Sequence, residues 1–234
     1  MEPLAAPQRS SWASQAWLVA KKDLQIELRT GEVVMTGGFF AILVTVIASL
    51  SLWTGPQNRN EVAAAVIWLA IAFAAVLALS RTWQREREES ALDALLVSPI
   101  SPSAIYCGKA LGVLAFLFVI ELLVIPTCAL FFSLDIIEFA PGLLVVCAIA
   151  TPGVAASGTL FGLMTVRTRA RDLVLSIVLF PLLSPTLLAA TVATRVLFEG
   201  DPMGEIGDFL RIMALFDLIF AAGGVTLFGT LAEQ

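Results

Sequence analysis

The chain has 234 residues, of which 59% are hydrophobic and 14% charged, with net charge −5 and mean hydropathy +0.91. Soluble domains carry roughly 45–50% apolar and about 25% charged residues. This excess leaves too little material for a polar skin, which excludes a soluble enzyme, a nucleic-acid binder and a disordered chain. What remains is an all-α integral membrane protein: an N-terminal segment, 1–32, followed by a single transmembrane domain, 33–234.

In the N-terminal segment Ala13, Trp17, Ala20, Leu24 and Leu28 share one helical face, with Lys22, Gln25 and Arg29 opposite. Such a helix is expected to lie in the headgroup region, Trp17 and Leu24 toward the acyl boundary and Lys21, Lys22 and Arg29 toward anionic lipid. A soluble helix packed on a loop is the plainer alternative. No apolar core with a small-residue cleavage site occurs in the first thirty residues, so the first span is expected to be retained.

Val33 to Trp53 is an uncharged run of 21 residues, enough to cross about 30 Å of hydrocarbon. Val62–Ser80 is the second span, with Ala70, Ala74 and Ala78 on one face. Small residues at that spacing let helix backbones approach closely. Arg81 to Lys109 then reads RTWQREREESALDALLVSPISPSAIYCGK. Charges of both signs through Arg85, Glu86, Arg87, Glu88 and Glu89 extend the second helix beyond the membrane as a solvated arm. Ser90 and Asp93 fit a capping box for a short helix with an apolar edge of Leu92, Leu95 and Leu96. Pro99 stops it, and Ser101-Pro102 caps the third span. A short amphipathic helix on two helical arms is either a plug for a groove in another protein or a helix resting on lipid.

The third span, Ala110–Leu134, carries Glu121 near its middle, and the sixth, Ile212–Ala232, carries Asp217 near its start. A carboxyl at membrane depth is a candidate pathway group, with a helix-to-helix hydrogen bond as the alternative for Glu121 and simple access to water for Asp217. The fourth span, Gly142–Val166, contains Thr151-Pro152-Gly153 and a GxxxG at Gly158–Gly162, a sign of close packing. In the fifth span, Leu173–Thr194, Pro181 and Pro185 each delete a backbone hydrogen bond. With Pro152 they are hinge or static-bend candidates. A lid helix around Gly204–Arg211 is expected between spans five and six.

Of the fourteen Lys and Arg residues, eleven fall in the N-terminal segment and in the loops after spans two and four, and three (Arg59, Arg195, Arg211) on the other side. Both termini are therefore expected in the cytoplasm. The chain has no histidine, and Cys107, Cys128 and Cys147 match no metal or haem-attachment spacing. No phosphate-binding loop, dinucleotide fingerprint or nucleophile elbow is present. No metal or cofactor is expected on the chain, nor catalysis by it alone.

The ordered set of motifs resembles the CcmB haem exporter protein B family, the ABC-2-like permease of cytochrome c maturation. Lys22-Asp23-Leu24-Gln25-Ile26-Glu27-Leu28-Arg29 is similar to that family's K-D-L-x-x-E-x-R entry. Leu79-Ser80-Arg81 and Arg85–Pro99 are similar to its coupling segment. Lys109, Glu121 with Pro126, Thr151-Pro152 and Phe180-Pro181-Leu182-Leu183-Ser184-Pro185 continue the likeness over about residues 15–232. The resemblance implies six spans, an interfacial helix and a coupling helix between spans two and three, in the bacterial inner membrane. It implies a separate ATPase subunit, CcmA, forming a dimer beneath two copies of this chain, with CcmC, CcmD and the haem chaperone CcmE as neighbours. ATP is then hydrolysed by the partner, and haem is carried by partner proteins. Arg85, Glu86, Glu88, Glu89, Ser90, Leu92, Asp93, Leu95 and Leu96 become the candidate ATPase-coupling interface. Other readings are an ABC-2 permease for another substrate, a membrane scaffold, and a proton-coupled carrier using Glu121 and Asp217.

Overall fold

The structure is a computed structural model that describes residues 11–52, 58–88, 91–166, 171–200 and 204–232. Among these the regular elements are eight α-helices: α1 (Trp12–Thr30), α2 (Glu32–Ser51), α3 (Arg59–Glu88), α4 (Ala91–Val97), α5 (Pro102–Phe132), α6 (Ile136–Val166), α7 (Arg171–Phe198) and α8 (Gly207–Ala232). Six of them, α2, α3, α5, α6, α7 and α8, are long and apolar enough to cross a membrane. The six apolar runs of the sequence thus become six spans. A helix satisfies its own backbone polar groups, which hydrocarbon cannot do.

The centre of the bundle is α3, which packs against α2, α5, α6 and α7. Its Ala63, Ala64, Ala70, Ala74, Ala75 and Ala78 are all buried. Without long side chains at these positions, neighbouring backbones come close enough for dense packing, the main attraction between helices in lipid. On α2 the inward stripe is Val33, Gly37, Ala41, Thr45 and Ser49, and Met35, Phe39, Leu43, Ile47 and Leu50 point outward. That inversion, small residues in and large apolar residues out, is what a lipid solvent selects. The GxxxG of α6 receives α3: a Cβ added at Gly158 would meet the Leu79 side chain and one at Gly162 the Trp83 ring.

The prolines do not interrupt their helices. Pro126, Pro141, Pro152, Pro181 and Pro185 all lie inside continuous α-helix. Pro185 cannot donate to the carbonyl of residue 181, and the Ser184 hydroxyl donates to that oxygen instead, at 2.7 Å. The expected lid around Gly204–Arg211 is not a separate helix. Its second half is the first turn of α8, and Ile206 just before it is fully buried in the main core. At this end of the bundle Asn60 donates to the Phe198 carbonyl at 2.6 Å, and Arg195 pairs with Glu61 at 2.9 Å. Lys22, Arg81, Arg85 and Lys109 gather at the opposite end of α3.

Candidate functional site

The first turns of α5 carry Gly108-Lys109-Ala110-Leu111-Gly112. These two glycines form a shallow saddle for α1. A Cβ built on Gly108 would lie 2.5 Å from the Ala16 carbonyl oxygen and 2.6 Å from Val19 Cβ. Only glycine permits that approach. One turn on, a Cβ at Gly112 would sit 3.4 Å from Asp23 Cβ. The buried face of α1 is accordingly Ala16, Val19, Ala20, Asp23 and Glu27: two acids among small and branched apolar residues.

Both acids have assigned partners. Lys109 Nζ donates to Asp23 Oδ1 and Oδ2 at 3.1 and 2.9 Å, and also to Glu86 Oε1 near the end of α3. Lys22 Nζ reaches the same Glu86 oxygen at 3.0 Å and Asp23 Oδ1 at 3.3 Å. Two ammonium groups and two carboxylates form a neutral cluster at the meeting point of α1, α3 and α5. The Lys109 side chain is 1% exposed, Glu86 5%, Asp23 8% and Lys22 34%. Charges this buried persist only when paired and hydrogen-bonded, as these are. For Lys22, burial alone lowers the pKa, but the Asp23 and Glu86 carboxylates more than offset it and hold it above the ordinary lysine value.

Glu27 Oε1 accepts the Val34 N–H at 2.8 Å and so caps the start of α2, where free N–H groups and the helix dipole favour a carboxylate. The chain turns between α1 and α2 at Gly31, whose φ of 63° is the left-handed region glycine tolerates. Arg85 bonds Glu32 at 3.0 Å and Thr30 at 3.2 Å, and Arg81 reaches Glu32 at 3.4 Å. The other end of α1 is tied to the start of α5. Trp12 Nε1 donates to Ser103 at 2.9 Å, and Gln15 Oε1 accepts the Ser101 N–H at 3.0 Å. Ser101 stands at the N-cap position but makes no capping bond with its side chain.

These contacts redistribute the expected interface. Glu86, expected on a solvated arm, is buried in the cluster, because α1 covers the arm on that side. Arg85 turns to Glu32. Lys22 turns inward to Glu86 rather than out to lipid, while Lys21, Arg29 and Trp17 are exposed and Leu24 is half-buried. Leu95 and Leu96 of α4 are also half-buried, packed against Trp83, Ile105, Tyr106, Leu160, Leu163 and Phe228. Among the α4 side chains described, Ala94 and Val97 are exposed. Glu89 and Ser90 lie outside the described residues, as do the side chains of Glu88, Leu92 and Asp93 and with them the expected capping box.

Deeper in the bundle, the Thr151 hydroxyl of α6 donates to Glu121 Oε1 of α5, joining two spans through a buried pair. Cys147 lies beside the same carboxyl. Outward from Glu121 a groove of about 610 Å³ runs between α5 and α6, lined by Phe118, Leu122, Leu143 and Leu144 among others. Asp217, the other pathway candidate, is half-buried: its Oδ1 is enclosed against Gly153, with no hydrogen-bond partner among the described residues. Both acids therefore meet α6 within the Thr151-Pro152-Gly153 stretch. Tyr106 Oη lies within hydrogen-bond reach of the Ala156 and Phe220 carbonyls, at 3.1 and 3.0 Å, and ties α5 to α6 and α8.

Among the described residues no group of three or more His, Cys, Asp or Glu could hold a metal ion. Asp23, Glu27 and Lys109 entered the sequence analysis only as part of the family likeness, with no role assigned, and Gly108 and Gly112 were not singled out. A further signal was present: a lone lysine between two glycines near the start of an apolar span.

The sequence model of the CcmB protein family matches residues 14–226, from the first turn of α1 into α8. The chain belongs to the CcmB family. Several curated relatives carry the name heme exporter protein B. That of Rhodobacter capsulatus is 29% identical over 187 residues, covering 76% of this chain and 82% of the relative. Those of Paracoccus denitrificans and Bradyrhizobium diazoefficiens are 27% and 24% identical, over 86% and 83% of this chain and 91% and 87% of theirs. Three residues of the K-D-L-x-x-E-x-R stretch that carries the CcmB likeness fasten α1. Lys22 binds Glu86, Asp23 binds Lys109 and Glu27 caps α2.

Proposed function

We propose that the chain is the membrane subunit of an ATP-driven haem-export complex of cytochrome c maturation, in the bacterial inner membrane with both termini cytoplasmic. Two copies stand over a dimer of a separate ATPase, CcmA. CcmC, CcmD and the haem chaperone CcmE are neighbours, and ATP hydrolysis drives release of haem-loaded CcmE. The observation that carries the reading is α4. It is a seven-residue helix between the ends of α3 and α5, the two helices whose ends are clamped to α1 and α2. A partner pressing on a rigidly mounted helix moves whole spans. Pressure on a loose loop is dissipated there. The heme exporter protein B relatives and the single-sided excess of Lys and Arg support the same reading.

In this reading the Thr151 bond makes Glu121 a polar tie between spans rather than a proton carrier. The test is purification of the tagged protein from its native membrane in mild detergent, with and without Val97→Glu. Val97 is 88% exposed on α4, so the substitution alters the docking face while sparing the core. Stoichiometric ATPase with the parent and none with the variant is the expected result. Parent protein that carries no ATPase through a cross-linked preparation refutes the reading.

A further inference from the structure

We infer that Glu86 is a positioning residue that joins α1 to the end of α3, so that the N-terminal helix and the mount of α4 move as one rigid unit. The inference rests on the ATPase-coupled reading for its purpose, but its geometry stands alone. One Glu86 oxygen is shared by Lys22 from α1 and Lys109 from α5. Lys109 holds Asp23 of α1 as well. Glu86 Oε2 is buried with no hydrogen-bond partner among the described residues. Both ammonium groups thus rest on one oxygen; a neutral amide of the same shape still accepts their hydrogen bonds but supplies no charge to offset them.

The position of Glu86 gives the joint its leverage. It stands two residues before the end of α3 and five before the start of α4. A displacement of α4 reaches the apolar cluster around Trp83 directly through Leu95 and Leu96, and along the chain it also reaches Glu86. Through the two lysines it is passed to α1, and through the Glu27 cap and the Gly31 corner to α2. Gly108 prevents slippage at the far side, because α1 there touches α5 backbone to backbone.

The test uses the full chain in its complex, with Cys107, Cys128 and Cys147 replaced. Spin labels are placed at the exposed Trp17 of α1 and Arg87 of α3. The parent should give one narrow distance distribution, unchanged between nucleotide-free and ATP-bound complex. Glu86→Gln should broaden it and lower ATP turnover about tenfold in complexes holding the same amount of ATPase. Glu86→Asp, which keeps the charge, should restore the narrow distribution and at least half of the turnover. Should Glu86→Gln fail to accumulate, Lys22→Met removes the outer, more exposed half of the joint and should broaden the distribution less. A narrow distribution in the neutral variants overturns the inference, and so does a parent distance that shifts with nucleotide. A parent complex without ATPase instead removes the functional reading and leaves the distance measurement to decide the rigid unit.

Discussion

Replacing Lys109 by methionine removes the ammonium group around which α1, α3 and α5 meet, at nearly constant side-chain length. Lys109 is 1% exposed and holds Asp23 and Glu86, themselves 8% and 5% exposed at the side chain. In the variant, two buried carboxylates share only Lys22. Removing one partner of a buried pair costs about 3–5 kcal/mol, mostly because a charge is left without compensation. Lys22→Met makes the control. Its side chain is 34% exposed, so water replaces much of what is lost, and the expected cost is about 1 kcal/mol. A third variant, Lys109→Met with Asp23→Asn, removes one charge of each sign and should recover at least half of the loss. The assay is unfolding of the three variants and the parent in lipid nanodiscs, with equal incorporation verified beforehand. The reasoning is refuted if Lys109→Met is no more destabilising than Lys22→Met, or if the double variant is worse than the single.

Gly108→Val should destabilise the protein by about 1–3 kcal/mol, because the new side chain meets the Ala16 carbonyl and Val19. Its specific mark is cleavage by added protease between α1 and α2, with the six spans still protected. Tyr106→Phe removes the hydroxyl that reaches the Ala156 and Phe220 carbonyls. The expected loss is about 0.5–1.5 kcal/mol by the same unfolding measurement. Thr151→Val deletes the donor to Glu121 and should cost about 1–2 kcal/mol, whereas Thr151→Ser, which keeps the hydroxyl, should cost less than half as much.

The spans were legible because hydrocarbon leaves one solution for a long uncharged run, and the close packing at Gly158–Gly162 was legible because small residues at i and i+4 have few other uses. The face of α1 was read through its apolar stripe. Trp17 and Leu28 on that stripe are indeed exposed, 58% and 86%. What the stripe concealed is that the docked face, Ala16, Val19, Ala20, Asp23 and Glu27, shares only Ala20 with it and carries two acids. In lipid an ionic contact with an assigned partner is as good a reason to turn inward as apolarity is in water. The cluster was illegible for a different reason. Lys22, Glu86 and Lys109 look in sequence like ordinary flanking charges, and their pairings span 64, 23 and 86 residues. Glu86 was hidden by the alternating charges around it, which describe an exposed helix until α1 covers one side.

The glycine saddle of α5 also fixes an order of events during synthesis. The N-terminal helix leaves the ribosome first, yet Lys109, which holds Asp23, follows 86 residues later. At about 5–20 residues per second that is a delay of about 4–17 s. Through this interval α1 lacks its seat on α5, and Asp23 has only the neighbouring lysines and water. The seat on which α1 is finally locked arrives only with the third span.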